Sequence, residues 1–206
     1  MNAFVVEADV LTLIDTGTPG GAGRLRAAVS AAGHDVRDVG RIVLTHRHAD
    51  HAGNAAELAR GSGAAVHVSP PEAPYVRDGR EQPRPRPATP LGRALVPYVK
   101  LALPWTLPRI EVQETLIDGV HIGPFRVVAT PGHTEGHVAL LWEERGILFA
   151  GDAAAHLTRL GPHPAADDPA RAEQSFRSLA ELDFDTAYFG HGRALHAGAR
   201  ARWSER

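Results

Sequence analysis

Four side chains able to bind a metal fall within six residues: His46, His48, Asp50 and His51, in the run THRHADHAGN over 45–54. On an extended chain, residues two apart point to the same side, so His46 and His48 can converge on one ion. Asp50 and His51 follow where the chain turns into a predicted helix, and they can face a second ion beside the first. So many clustered imidazoles would otherwise repel one another or stay unsatisfied. Three more ligand types sit in glycine-containing turns that end predicted strands: His133 in PGHTEGH (131–137), Asp152 in FAGD (149–152) and His191 in GHG (190–192). Imidazole nitrogen and carboxylate oxygen together suit zinc, manganese or iron. The chemistry this spacing points to is metal-assisted attack of water on an electrophilic centre.

The elements that must position these residues are short. Alternation and apolar runs predict strands over 3–7, 10–14, 41–45, 64–69, 111–116, 125–129, 138–142, 147–150 and 186–189. Helices are expected over 24–32 (ended by Gly33), 50–60, 169–182 and 194–203. The order is strands, αβ pieces, strands and αβ again, which two sheets with helices on their outer faces would satisfy.

The 206 residues fit a single domain over 1–206, with 43% hydrophobic and 22% charged residues as in an ordinary globular chain. There are no cysteines, so disulfides and thiolate metal sites are excluded. A net charge of −2 gives no reason to expect a nucleic-acid partner. No apolar run would span a bilayer and no signal-peptide pattern opens the chain, so no membrane partner and a cytoplasmic location are expected. Residues 70–108 hold ten of the 16 prolines and several arginines. This stretch reads as a lid-like insertion, with a surface insertion or homodimer contact as the alternative. Within it, 91–105 reads as a short helix broken at Pro97.

Among the other histidines, His137 is read as bracing its turn, and His156, four after Asp152, as a candidate to contact substrate or act as an acid. His34, His67, His121, His163 and His196 have no motif context and are read as surface or turn residues.

Taken with LIDTG at 13–17, these blocks resemble the metallo-β-lactamase superfamily over nearly the whole chain. The ligand set is similar to that of glyoxalase II, without the C-terminal domain of that enzyme. The resemblance implies an α+β fold, an αββα sandwich of two mixed sheets with outer helices. It also implies that His46, His48 and His133 bind a first metal, that Asp50, His51 and His191 bind a second, and that Asp152 bridges both. Asp15 would support the ligand loops from behind. The implied cofactors are two divalent ions, zinc favoured by the histidine content, with manganese and iron compatible. The implied activity is hydrolysis of a small-molecule ester, lactone, thioester or phosphoester by a metal-bridging hydroxide, with Asp50 orienting the nucleophile or carrying a proton. Asp152 stands where β-lactamases of this fold place cysteine or serine, which argues against antibiotic cleavage. Ala153–Ala155 stand where autoinducer lactonases carry a tyrosine. A mononuclear iron persulfide dioxygenase and a non-catalytic metal-binding module remain as alternatives.

Overall fold

Short runs of aliphatic and β-branched residues build two five-stranded sheets, each within one of two units of the chain. The structure, a computed structural model, describes residues 1–102 and 106–205. The first unit comprises Met1–Gln82 and Pro104–Leu116, the second Pro83–Leu103 and Ile117–Arg206.

In the first unit, β1 (Phe4–Glu7) and β2 (Leu11–Ile14) form an antiparallel hairpin. Next to β2, in order, lie β3 (Val39–Val43), β4 (Ala65–Val68) and β5 (Gln113–Glu114), all parallel. Parallel neighbours need crossover connections. Helix Ala22–Ala31 supplies the one between β2 and β3, and helices Ala49–Ala52 and Ala55–Ser62 the one between β3 and β4. The apolar residues Leu13, Ile42, Leu44, Val29 and Leu58 are buried together in this unit's core.

The second unit orders β10 (Thr186–Tyr188), β9 (Ile147–Phe149), β8 (Val138–Trp142), β7 (Phe125–Ala129) and β6 (His121–Ile122). Only the β9–β10 pair is parallel. All five residues of β8 are buried, as expected of a strand covered on both faces. Helix Pro169–Ser178 begins at Asp168, whose side chain accepts from the N–H groups of Ala170 and Arg171, with proline at the first helical position.

Several expectations shift. The helix expected over 50–60 is two helices, because Asn54 is drawn into the loop after β2. Its amide donates to the carbonyls of Thr16 (2.6 Å) and Thr18 (2.8 Å) and accepts from Gly21 N–H (3.1 Å). The closing helix is shorter than 194–203 and spans Ala199–Ser204, after Gly198 in a left-handed conformation. The helix of the proline-rich segment is not broken: it runs over Pro90–Ala102 with Pro97 inside it. Its flanking turns are anchored, Val96 being buried and Gly92 lying against Pro164, which offsets the hydrogen bond that proline forgoes. Residues 103–105 of the expected 91–105 stretch lie outside the described residues.

The closing helix is fastened by Trp203. Its indole N–H donates to Phe176 O (2.8 Å), and its ring stacks on Phe176 and Phe189 with Phe184 at its edge. Phe189 lies two residues before His191. Truncation to Trp203→Ala is expected to cost about 3–5 kcal/mol of stability, read from the urea midpoint; a loss under about 1 kcal/mol would show that the ring is not packed as described.

Candidate metal centre

In the first unit the loops that carry Asp15 and His46–His51 leave the carboxyl ends of parallel strands, where bound groups usually sit on such sheets. β2 and β3 end in register, Ile14 opposite Val43, so Asp15 and the loop beginning at Leu44 emerge at the same level. Asp15 is buried and has a φ of 59°, a left-handed conformation that aspartate tolerates better than most residues. The bend turns its carboxylate onto the next loop, where it accepts from Thr45 N–H (2.8 Å), the Thr45 hydroxyl (2.9 Å) and His51 Nδ1–H (2.7 Å). Since the Thr45 hydroxyl donates to Asp15, its oxygen accepts from His46 Nδ1–H at 3.0 Å. Both rings therefore carry their proton on Nδ1 and present Nε2 as the lone-pair nitrogen.

His46 Nε2 lies 3.1 Å from His48 Nδ1. Two nitrogens held about 2.0–2.1 Å from one zinc at the tetrahedral angle are about 3.3 Å apart, so the pair is close to a chelating bite. The His51 ring lies 4.1 Å from that of His46, centroid to centroid. Asp50 is partly exposed, with Oδ2 3.9 Å from His51 Nε2.

Arg47, between the two histidines, is held from several sides. Glu72 accepts from its backbone N–H and from its guanidinium, both at 2.9 Å, and the side chains of both residues are 1% exposed. Gln82 donates to its carbonyl (2.8 Å), and the guanidinium lies 4.4 Å over the Tyr75 ring. The peptide joining His46 to His48 is thus held at both its N–H and its C=O by side chains from 72–82.

In the second unit, β7, β9 and β10 run in the same direction, and their carboxyl ends lead to His133, Asp152 and His191. Gly132 (φ 128°) makes the first turn possible: a Cβ there would lie 2.1 Å from Ala172 N. The close approach lets Gly132 O and His133 O accept from Asp168 and Asp167 N–H (2.9 and 3.0 Å). His133 Nδ1–H donates to Ala165 O at 2.8 Å, which directs Nε2 toward Asp152. The Asp152 N–H donates to His137 Nε2 (2.8 Å), and His137 Nδ1–H donates to Thr130 Oγ1 (2.7 Å). His137 therefore braces its own turn at Thr130, as its spacing indicated, and in addition holds the backbone of Asp152. Three imidazole Nε2 atoms converge on Asp152 Oδ2: His133 at 3.3 Å, His163 at 3.4 Å and His191 at 3.5 Å.

His163 corrects the sequence reading, which took it as a surface or turn residue. It faces the same carboxylate oxygen as two expected ligands, and no local motif marked it. Glu72 and Gln82 were also missed, lying inside what read as an insertion. His156 bonds the Arg193 carbonyl (3.0 Å) and, among the described residues, belongs to none of the groups placed to hold an ion. His34 pairs with Glu7, His121 with Glu143, and His196 lies at the edge of Tyr188. His67 bonds Thr115, and burial together with nearby Arg41 holds its pKa below the ordinary histidine value.

A family model described as the metallo-β-lactamase superfamily matches residues 2–191. The chain belongs to this superfamily. It is 29% identical to the probable metallo-hydrolase YflN of Bacillus subtilis, over 90% of this chain and 76% of that one. It is 36% identical to a hydroxyacylglutathione hydrolase of Anaeromyxobacter dehalogenans over 83% of its own length, spanning about half (52%) of that relative. Among solved structures it resembles TTHA1623, crystallised in a di-iron-bound form, with a TM-score of 0.70, 28% identity and coverage of 98% of this chain and 92% of that one. The superfamily member thus has the expected α+β fold and is a metal-dependent hydrolase, with His/Asp groups suited to divalent ions. Among the described residues no helix is long and apolar enough to cross a membrane.

Removing the carboxylate that faces Arg47 leaves a buried charge uncompensated. Glu72→Gln is expected to lower stability by about 3–5 kcal/mol in urea unfolding. A change within experimental error would mean that the pair does not hold the loop.

Proposed function

We propose that this chain is a dinuclear metal-dependent hydrolase acting on a small-molecule ester, lactone, thioester or phosphoester. The observation that carries the reading is the convergence of imidazole Nε2 atoms on the single buried oxygen Asp152 Oδ2. His46, His48 and His133 would hold one ion, Asp50, His51 and His191 the other, and Asp152 both.

The donor set fits such ions: five imidazoles and two carboxylates, all nitrogen and oxygen, favour zinc and accept manganese or iron. The di-iron form of TTHA1623 supports a pair of ions without choosing the metal here. When bound, two divalent ions supply water that loses a proton near neutral pH and positive charge for a developing oxyanion.

The chain's own residues do the rest. Asp15 fixes the His51 ring and, through Thr45, the His46 ring. His137 fixes the Asp152 backbone. Asp50, the more exposed of the two carboxylates, would carry a proton to the leaving group. The hydroxyacylglutathione hydrolase relatives bring thioesters into the substrate class.

A panel of chromogenic esters, lactones, thioesters and phosphoesters tests this. Hydrolysis is expected to vanish on treatment with a chelator and to return with zinc. Asp152→Ala is expected to lower kcat/KM by more than about 100-fold with an unchanged circular dichroism spectrum, beyond the loss typical of residues that merely support a ligand. Undiminished hydrolysis by the chelated protein, or by the variant, would sink the reading.

A further inference from the structure

His163 stands in nearly the same relation to Asp152 as His133 does. It sits between Pro162 and Pro164, in a turn with little backbone freedom: a proline fixes its own φ, and the residue before a proline is kept extended. The turn is also gripped from outside. Arg86–Pro87 pairs antiparallel with Ala165–Ala166, and Ala88 N–H donates to Pro164 O at 2.8 Å. Helix Pro90–Ala102 starts hard against the same backbone, since a Cβ on Gly92 would lie 1.8 Å from the Pro164 carbonyl oxygen. The proline-rich stretch before this helix thereby clamps the turn that carries His163.

Two rings depend on one acceptor in this turn. Ala165 O accepts from His133 Nδ1–H at 2.8 Å and lies 3.0 Å from His163 Nδ1, from which it accepts when that nitrogen carries the ring proton. With Nδ1 protonated in both, each ring presents an Nε2 lone pair, at 3.3 and 3.4 Å from the same Asp152 oxygen. The rings are 4.5 Å apart and nearly perpendicular, so both nitrogens can approach one point without a clash. His133, Asp152 and His163 each offer one donor atom, all within 4.8 Å of one another. A backbone carbonyl that orients the far nitrogen is the common support of a metal-binding imidazole.

We propose that His163 is a further metal ligand, sharing an ion with His133 and Asp152 and adding one imidazole to the family's set. The inference rests on the metal-dependent reading above and deepens it. The same ring has one competing arrangement, in which Ala165 N–H donates to Nδ1 (3.2 Å) and Nε2–H donates to Asp152. There His163 would only orient the carboxylate.

His163→Ala and His163→Gln separate the two. Glutamine keeps an N–H donor for Asp152 and removes the imidazole. Full-length wild type and both variants are titrated with Co2+ against a competing chelator, and the visible absorption of the bound cobalt is recorded. In both variants one of two ions is expected to bind more than about 100-fold more weakly, beyond the loss typical of a residue that only supports a ligand, with a changed cobalt spectrum. Wild-type affinity and spectrum in both variants would overturn the proposal. So would full rescue by glutamine where alanine fails, which is the signature of a hydrogen-bond donor. Wild type that takes up no ion would overturn the metal-dependent reading and this inference together, whereas a wild type with two ions and unaffected variants would overturn only the latter.

Discussion

A buried imidazole must have both ring nitrogens accounted for, and in this chain the protein repeatedly takes Nδ1. Thr45 takes it from His46, Asp15 from His51 and the Ala165 carbonyl from His133. Each of these bonds fixes a tautomer and a ring plane, so that Nε2 is the nitrogen left facing the other donors. Asp15 matters most, because one carboxylate serves two rings and the Thr45 amide. Its left-handed backbone is the local strain that permits this, of order 1–2 kcal/mol for an L-residue.

The sheets supply the coarse placement and the loops the fine one. Within each unit the donors follow strands that run in the same direction, so they emerge at one end of one sheet. Precision then comes from contacts behind the donors. Arg47 is held by Glu72, Gln82 and Tyr75, and the Gly132 turn is pressed onto the start of helix Pro169–Ser178. Buried ion pairs such as Arg47–Glu72 add little net stability against an apolar alternative, and a positional role accounts better for one placed between His46 and His48.

Local spacing revealed much of this and missed the rest for identifiable reasons. The THRHADHAGN run showed that His46 and His48 can meet, because two-residue spacing is a property of the chain itself. β7 and β8 were read with their observed bounds, and most other strands to within one or two residues, from continuous apolar runs. β6 was missed, being two residues long. The 50–60 helix was read as unbroken because the pull on Asn54 comes from Thr16–Thr18, more than thirty residues earlier. His163 was read as a surface or turn residue because it has no motif context in the sequence; its partners are Asp152 and a carbonyl that also serves His133. Pro97 was read as a break because proline cost is local, while the anchoring of Gly92 and Val96 is tertiary.

Dinuclear chemistry in this chain depends on the number and kind of ions that the intact protein holds. Elemental analysis of protein purified without added metal, expressed per chain, measures that directly. The prediction is about two divalent ions, zinc or manganese or iron, per chain. A single iron accompanied by oxygen consumption would contradict the dinuclear hydrolase and favour an oxygen-dependent enzyme on the same fold, and a metal-free chain that still hydrolyses its substrate would contradict it altogether.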